Sequence, residues 1–519
     1  MNERLPRPTK IDSDMWVDEA IWGHRLYDEQ TPWLCVMEFL NIVHAEISNE
    51  RALKENVPNT LAYMPKSRLY LRNILFNNPQ MAVIGKQYKN DNSSQWNKWI
   101  EVMTVNSAGL SNPDPDFSYL QRRFSSFEDF MAVVEFVRSS TIEGENNKRW
   151  SSQFVFPYGP SCLYEDLNVK ENSISNDRRF FARTGEIMYL MLCRSGREEE
   201  ILEHLLSKVL DENNKFNRLI SMLQPPSDNL SEGNSIRSGA YLPYLNLPEY
   251  KALADDWINI FNCKLSNFDF IPYLVNLTGL HMVIYFLKRS MEILGLDTKP
   301  TFILEIVSPK KNVIKELSSD SFNENNSLSR RAVEQYIRKI TDTAEWQHAV
   351  QSNDSSEIKS ILKRGFSWPK DNKDHEIDNL NSPDEILERL IDNALSRHLQ
   401  HVNKFHNVWG REIGLSSKRG SRRVRYAPHD SLLKSLVLSV VPERLEFQEF
   451  LSKLYDKYGI IIGDRQAEDY ISTGQADQAD FDENAKRLEQ RLASMGLLKR
   501  LSDACAYVEN PFATRGNNL

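Results

Sequence analysis

SRRVRYAPHDSLLKSLVLSVVPERLEFQEFLSKLYDKYG, residues 421–459, and FDENAKRLEQRLASMGLLKRLSDACAYVENPF, residues 481–512, decide how the C-terminal part of the chain folds. Leu432, Leu433, Leu436, Val437, Val440 and Val441 fall on one helical face, with Asp430 placed to N-cap that helix and Pro442 to end it. A short extended step over 445–447 leads into a second amphipathic helix carrying Phe450, Leu451, Leu454 and Tyr455, stopped by Gly459. Beyond a polar insert, Phe481, Ala485, Leu488, Leu492 and Met495 recur at spacings of four and three along a third helix that Gly496 closes. LLKRL and CAYVE then read as two short strands joined by a tight Ser502-Asp503 turn. Helix, short strand, helix, helix and β-hairpin is the element order of a winged-helix domain, a helix-turn-helix relative.

Winged helices bind DNA or dock proteins, so the fold alone does not choose between them. The third helix spends its apolar seam on the core and leaves Lys486, Arg487, Gln490 and Arg491 on the opposite face. Lys499 and Arg500 begin the hairpin, while Asp482, Glu483 and Glu489 dilute the charge. Taken alone, that is an ordinary solvated helix face. The stretch just upstream is different: Arg411, Lys418, Arg419, Arg422, Arg423 and Arg425 face a single acid, Glu412, with Gly and Ser interspersed. A Gly/Ser-spaced basic arm leading into a helix-turn-helix suits phosphate or minor-groove contact, and equally an acidic partner protein.

Composition bounds the rest. A chain of 519 residues holds two to four domains with sizeable cores, and its ten Trp and 24 Phe argue for folded structure. A net charge of −8 confines any nucleic-acid contact to a local basic patch on an acidic body. The five Cys form no C-x-x-C pair, which fits free thiols in a reducing cytoplasm and offers no zinc site. MNERLPRPTK lacks the apolar core of a signal peptide. The most apolar stretch, 271–287, is interrupted by Pro272, Asn276, Thr278 and His281 and is too short and polar to span a bilayer. The expectation is a soluble cytoplasmic protein with no membrane partner.

Met15–Leu40, MWVDEAIWGHRLYDEQTPWLCVMEFL, reads as helix, turn, helix, with Thr31 capping and Pro32 at the first helical position. Its tryptophans Trp16, Trp22 and Trp33 read as core or as aromatic anchors for a protein partner; Trp22, His24, Asp28 and Glu29 are placed to line a site. The segment 63–79 is a short amphipathic helix whose Lys66, Arg68 and Arg72 make a second basic patch. In DRRFFARTGEIMYLMLCRSGR, residues 177–197, arginines bracket a helix start at Thr184-Gly185, where free backbone N–H groups suit a phosphate. Pairing of those arginines with Glu198–Glu200 is the plainer reading, and the lack of GK[ST] excludes P-loop hydrolysis.

LQPPSDNLSEGNSIRSG, residues 223–239, reads as a linker. The domain scheme is therefore a mixed, mainly helical part over 1–222, the linker, a helical middle over 240–410, the basic arm over 411–429, the winged helix over 430–512 and a disordered tail over 513–519. Within the middle, 247–262 and 272–294 read as long helices, the second apolar nearly all round, with His281 a core histidine. TFILEIV, residues 301–307, is a buried-strand candidate; helices resume over 328–340 and 356–363. One long helix then covers 385–409, with His398, His401 and His406 solvent-facing or near DNA.

Glu305 at a strand end with Lys310 beyond it invites comparison with the restriction-nuclease core, where acids hold Mg²⁺ and a lysine assists the attacking water. Their separation departs from that pattern, and no Asp lies on an obvious preceding strand. HExxH, GxSxG with triad context, an EF-hand loop and paired-cysteine zinc ligands are missing too. No catalytic residue, metal ligand or cofactor is assigned.

Four phrases carry a resemblance: DEAIWGHRLYDEQTPWL, RRFFARTGEIMYLML, RGSRRVRYAPHDSLLKSLVL and GLLKRLSDACAYVENPF. As a set spread over most of the chain, they resemble large proteins of bacterial anti-phage defence clusters of the methylation-associated type, encoded beside DNA methyltransferases and ATPases. The resemblance implies a defence-system subunit with protein partners rather than a free-standing enzyme. The sequence thus leads to a mainly α (α+β), multi-domain protein acting as a non-catalytic DNA-binding or adaptor subunit. The alternative is a divergent metal-dependent nuclease of a restriction-type system.

Overall fold

The computed structural model describes residues 4–6, 17–107, 115–142, 154–165, 167–170, 173–176, 182–225, 236–307, 313–352, 354–368, 380, 382–418, 423–502 and 505–514. They are mainly helical, with small sheets. The chain divides into two compact units, one of Met1–Trp33, Leu190–Ile201 and Gly239–Leu519, the other of Leu34–Tyr189 and Leu202–Ser238.

The heart of the first unit is the helix Ile271–Ile293, in which every residue from Leu277 to Leu287 is buried. A helix apolar all round has no solvent face, so it needs neighbours on every side. Pro248–Phe261, Val313–Arg338, Phe405–Glu412 and Asp430–Val440 supply them. His281 is buried as expected, with Nε2 2.5 Å from Oδ2 of Asp256. That carboxylate also accepts from the Tyr458 hydroxyl at 2.8 Å, from Ser439 and from Lys457.

The predicted helix over 328–340 is much longer, running Val313–Arg338. The polar run SSDSFNENNS looks like a loop by composition, yet Ile314, Ser318, Phe322, Asn325 and Ser329 form one buried face of it. Its small polar side chains find main-chain partners: Ser318 donates to Tyr426 O at 2.9 Å, Ser319 to Val424 O at 3.1 Å and Asn325 to Thr301 O at 2.9 Å. The single helix expected over 385–409 is two, Pro383–His401 and Phe405–Glu412, and it breaks where Asn403 N turns back to His398 O at 2.9 Å.

Phe302–Ile303, within the predicted buried strand, pairs in parallel with Ile460–Ile461 from the insert that the sequence leaves polar. Gly459 makes the pairing possible. It ends Phe447–Tyr458 in the left-handed region at φ 71° and runs against Pro300, where a Cβ would overlap the carbonyl oxygen. Gly459→Ala is expected to cost roughly 2–4 kcal/mol in urea denaturation, because both the left-handed strain and the main-chain overlap appear at once. A loss within about 0.5 kcal/mol would show that the two segments are not packed this closely.

From Asp430 onward the order is helix Asp430–Val440, strand Arg444–Glu446, helix Phe447–Tyr458, then within the insert strand Ile460–Ile461, a 3-10 turn Arg465–Ala467 and a short helix Glu468–Ser472, followed by helix Gln478–Ser494 and strands Leu498–Ser502 and Cys505–Glu509. Cys505–Glu509 lies between the other two strands in an antiparallel sheet. Leu432, Leu433, Leu436, Val437, Phe481, Leu488 and Leu492 are buried as their spacing predicts. Asp430 is the first helical residue rather than the cap; His429 holds the cap position. Asn484 stitches the Gln478–Ser494 helix to the strand pair, donating to Leu304 O at 2.9 Å and Ile462 O at 3.0 Å and accepting from Ile306 N at 2.8 Å.

In the second unit, Asn92–Ser107 and Phe127–Ser139 pack Trp96 and Trp99 against Phe127 and Phe130, with ring centroids 4.8 to 6.2 Å apart. The phosphate reading at Thr184-Gly185 is overturned: Glu38 already accepts from Arg183 N at 3.1 Å and Gly185 N at 2.8 Å, so those N–H groups are taken. Arg183 pairs with Glu186 at 2.8 Å rather than with the 198–200 run, whereas Arg197 does reach Glu200, at 2.5 Å. Among the described residues no helix is long and apolar enough to cross a membrane.

Candidate nucleic-acid interface

The basic stretch is not a free arm at its base. Ser416–Ser417 pairs antiparallel with Arg425–Tyr426, in the register Ser416 to Tyr426 and Ser417 to Arg425. The returning strand is anchored hard. The Tyr426 ring lies edge-on to Phe302 and Phe322, 5.2 and 5.3 Å away. Its hydroxyl oxygen accepts from Asn325 at 2.8 Å and sits 2.7 Å from His406 Nε2. The phenol proton therefore goes to a neutral imidazole, and burial holds His406 down at about 3.

Arg425 is a correction. It is buried, and its guanidinium is ion-paired with the buried Glu305, so it reaches no phosphate. Glu305 is corrected by the same contact: a carboxylate sealed by a guanidinium is not available to Mg²⁺, and Lys310 lies outside the described residues. Among the described residues no group of three or more His, Cys, Asp and Glu is arranged to hold a metal ion.

The remaining cations sort by exposure. Lys418 and Arg423, at the open end of the hairpin, are exposed, as is Arg411 at the end of its helix; Arg419 and Arg422 lie outside the described residues. On the Gln478–Ser494 helix Lys486 and Gln490 are exposed. Arg487, however, pairs with Glu483, and Arg491 Nε lies 2.7 Å from Asp430 Oδ1. On the hairpin Lys499 is exposed and Arg500 pairs with Glu489. The Arg491–Asp430 pair also sets the helix beside the segment that leaves the anchored strand, so the two basic features belong to one neighbourhood.

The aromatic anchors fare differently. Trp22 is buried, its Nε1 donating to Phe286 O at 3.0 Å, so it is core and not a docking residue. Trp33 is half-buried, and Trp16 lies outside the described residues. His24 and Asp28 are buried as well. His398 and His406, expected to face solvent or DNA, are both in the core, where His398 meets Ser329 and Asp18 and His406 meets the hydroxyl of the buried Tyr426.

Trp22 stacks on His398, ring centroids 5.5 Å apart, and beneath it lies an arrangement no sequence motif announces. His398 Nδ1 is 3.0 Å from Asp18 Oδ1 and its Nε2 is 3.0 Å from Ser329 Oγ. The order of groups is that of a hydrolase triad, but nucleophilic catalysis needs a substrate carbonyl at the serine. Ser329 sits inside a helix and is 1% exposed, and the crevice beside Asp18 holds about 10 Å³, room for one water. The three groups clamp Val17–Trp22, Val313–Arg338 and Pro383–His401 together. Sequence reasoning had no signal for them, since Asp18 and His398 stand 380 residues apart.

Residues 310–509 match the family model described as Methylation-associated defense system protein MAD7. No curated protein and no solved structure matches the chain. Of the four phrases quoted above, 419–438 lies inside the matched span, 496–512 overlaps it, and the other two precede it. Recognised through the span that carries the hairpin and the C-terminal helices, the chain is a component of a methylation-associated anti-phage defence system.

Proposed function

We propose that this chain is a non-catalytic, cytoplasmic subunit that brings a defence assembly onto DNA through its basic hairpin and a C-terminal winged helix. The observation that carries the reading is the pairing of an anchored root with a charged open end. Tyr426 and Arg425 fix the hairpin in the core, and Lys418 and Arg423 stand exposed beyond them. A rigid base lowers the ordering cost of each phosphate contact. The winged-helix reading is supported by the element order over 430–509 with the insert 460–477 set aside, and by the middle place of Cys505–Glu509 in its sheet. In that fold Gln478–Ser494 is the helix offered to the groove. With Arg487 and Arg491 engaged by acids, Lys486 and Gln490 are what it offers.

The test is fluorescence anisotropy on a labelled duplex across a salt series. The full chain should bind at low salt and lose affinity steeply as counterions compete. Lys418→Glu with Arg423→Glu should weaken binding strongly and lower the salt slope by about two units, with unchanged melting, because both residues are exposed. Arg487→Ala with Arg491→Ala should change affinity far less. A second reading, docking on another subunit, is favoured by the acids Asp480, Asp482, Glu483 and Glu489 on the same helix. No DNA binding at low salt, together with loss of a co-purifying subunit in the double Glu variant, would establish that reading instead.

A further inference from the structure

In the first unit the stretch 241–244 is built as a docking edge, and residues 4–6 of the same chain are seated on it. Its other acceptors are engaged from the body side. Tyr241 O accepts from His24 N at 2.7 Å, and Arg194 Nη1 donates to Leu242 O at 3.1 Å and to Tyr244 O at 2.8 Å. The Tyr241 ring is buried. None of these bonds involves residues 4–6, so the edge is held in shape without them.

The seated segment uses what is left. Arg4 and Tyr244 form an antiparallel bridge, and Leu5 N donates to Pro243 O at 2.8 Å. The Tyr241 hydroxyl donates to Leu5 O at 3.2 Å. The Leu5 side chain, with Tyr336 of the helix Val313–Arg338, packs on the buried pair Ala20 and Tyr241. Arg4 and Pro6 are exposed and Leu5 is half-buried. This is the way an extended peptide adds to an edge, where main-chain bonds give affinity and side-chain seats give specificity.

The seat for the arginine is selective. The Arg4 guanidinium donates to Ala20 O and, at 3.1 Å, to the Tyr336 hydroxyl, and its carbon stands over the Tyr336 ring, 5.3 Å from the centre. Among the described residues its partners are thus a carbonyl, a phenol and a ring face, with no carboxylate. A planar guanidinium lies over an aromatic face and donates sideways at once. An ammonium is a compact, strongly hydrated charge, and a seat without a carboxylate gives it less in return for its water. The seat therefore reads the shape of the cation as well as its charge.

We propose that the edge 241–244, with Ala20 and Tyr336, is a docking site for an extended segment of a partner protein in which an arginine is followed by an apolar residue. In the free chain residues 4–6 hold the site, and the partner's segment docks by displacing them. The resident contact is short, so it exchanges, while the edge beneath it stays formed and costs the incoming segment nothing to order. Tethering raises the effective concentration of the resident, so only a well-matched segment replaces it.

A labelled peptide of the resident sequence, NERLPRP from residues 2–8, tests the site by fluorescence anisotropy on the full chain. Arg4→Ala with Leu5→Ala vacates the seat. That double variant should bind the peptide at least about tenfold more tightly than the wild type, whose site is filled. Changing the peptide's first arginine to lysine should weaken binding about tenfold. Adding Tyr336→Ala to the double variant should remove binding. Tyr336→Phe, which keeps the ring and loses only the hydroxyl, should weaken it less and keeps the test valid should the alanine variant not fold. No binding by the double variant at millimolar peptide would overturn the proposal. So would equal binding by the wild type, a lysine peptide that binds as well as the arginine one, or binding by the double variant that Tyr336→Phe leaves unchanged. The assay contains no DNA, so its outcome is independent of DNA binding by the hairpin.

Discussion

Asp256→Ala is expected to remove about 5 kcal/mol of stability, enough to leave a marginal protein largely unfolded. The carboxylate is wholly buried where the helices Pro248–Phe261, Ile271–Ile293, Asp430–Val440 and Phe447–Tyr458 meet. His281, Ser439, Tyr458 and Lys457 all point their donors at it. Truncation strands buried donors that no water reaches, and each costs about 1–3 kcal/mol. Asp256→Asn keeps the shape but not the charge and should lose less. The pH dependence carries the same signature. Burial pushes this carboxyl up, but the bonds and charges of His281 and Lys457 outweigh burial and hold it at about 2, below its ordinary 3.8. A depressed carboxyl contributes stability above its unfolded value, and that contribution fades as pH falls through the folded one. About 2 kcal/mol should therefore be lost between pH 4 and pH 2. Urea midpoints across that window should show the loss in the wild type and its absence in Asp256→Asn. Parallel curves would mean Asp256 is not the charged centre of this junction.

Arg425→Ala is expected to cost about 3–5 kcal/mol, because it leaves the Glu305 carboxylate buried without its counter-charge. Glu305→Ala should cost about as much for the mirror reason. The double change Glu305→Met with Arg425→Met should recover most of the loss, since two apolar side chains of similar length need no mutual charge. A double variant as damaged as the singles would show that the pair is not isolated in this way. The consequence reaches function. The Arg425–Glu305 pair and the Tyr426 cluster root the hairpin, so Arg425→Ala should also weaken DNA binding, while the double variant restores it without restoring the positive charge. Had Arg425 touched phosphate directly, the double variant would remain impaired.

Much of the molecule follows from local pattern. Leu432, Leu436, Leu488 and Leu492 had to share a buried face because a helix with that spacing has only one way to hide them. Gly459 had to end its helix, and 271–293 had to be central, having no polar face to turn outward. The basic stretch from Arg411 to Arg425 was legible as charge. What the sequence could not supply was the partner of each polar residue. Ser318, Ser319 and Asn325 look like loop residues until Tyr426, Val424 and Thr301 present carbonyls to them, and then they are the buried face of a helix. Arg425 is one of six cations in the basic stretch 411–425, and only the buried Glu305 removes it from the set that meets solvent. Glu305 itself invites comparison with a metal-holding acid of the restriction-nuclease core until its counter-ion arrives from 120 residues away. Trp22, His398 and His406 were equally at home on a surface or in a core, and contacts from distant helices placed them inside. Apolar side chains are sorted by water, which every sequence meets alike, so periodicity reveals them. Polar and charged ones are sorted by the particular group that satisfies them, and that group is brought near only by the tertiary fold.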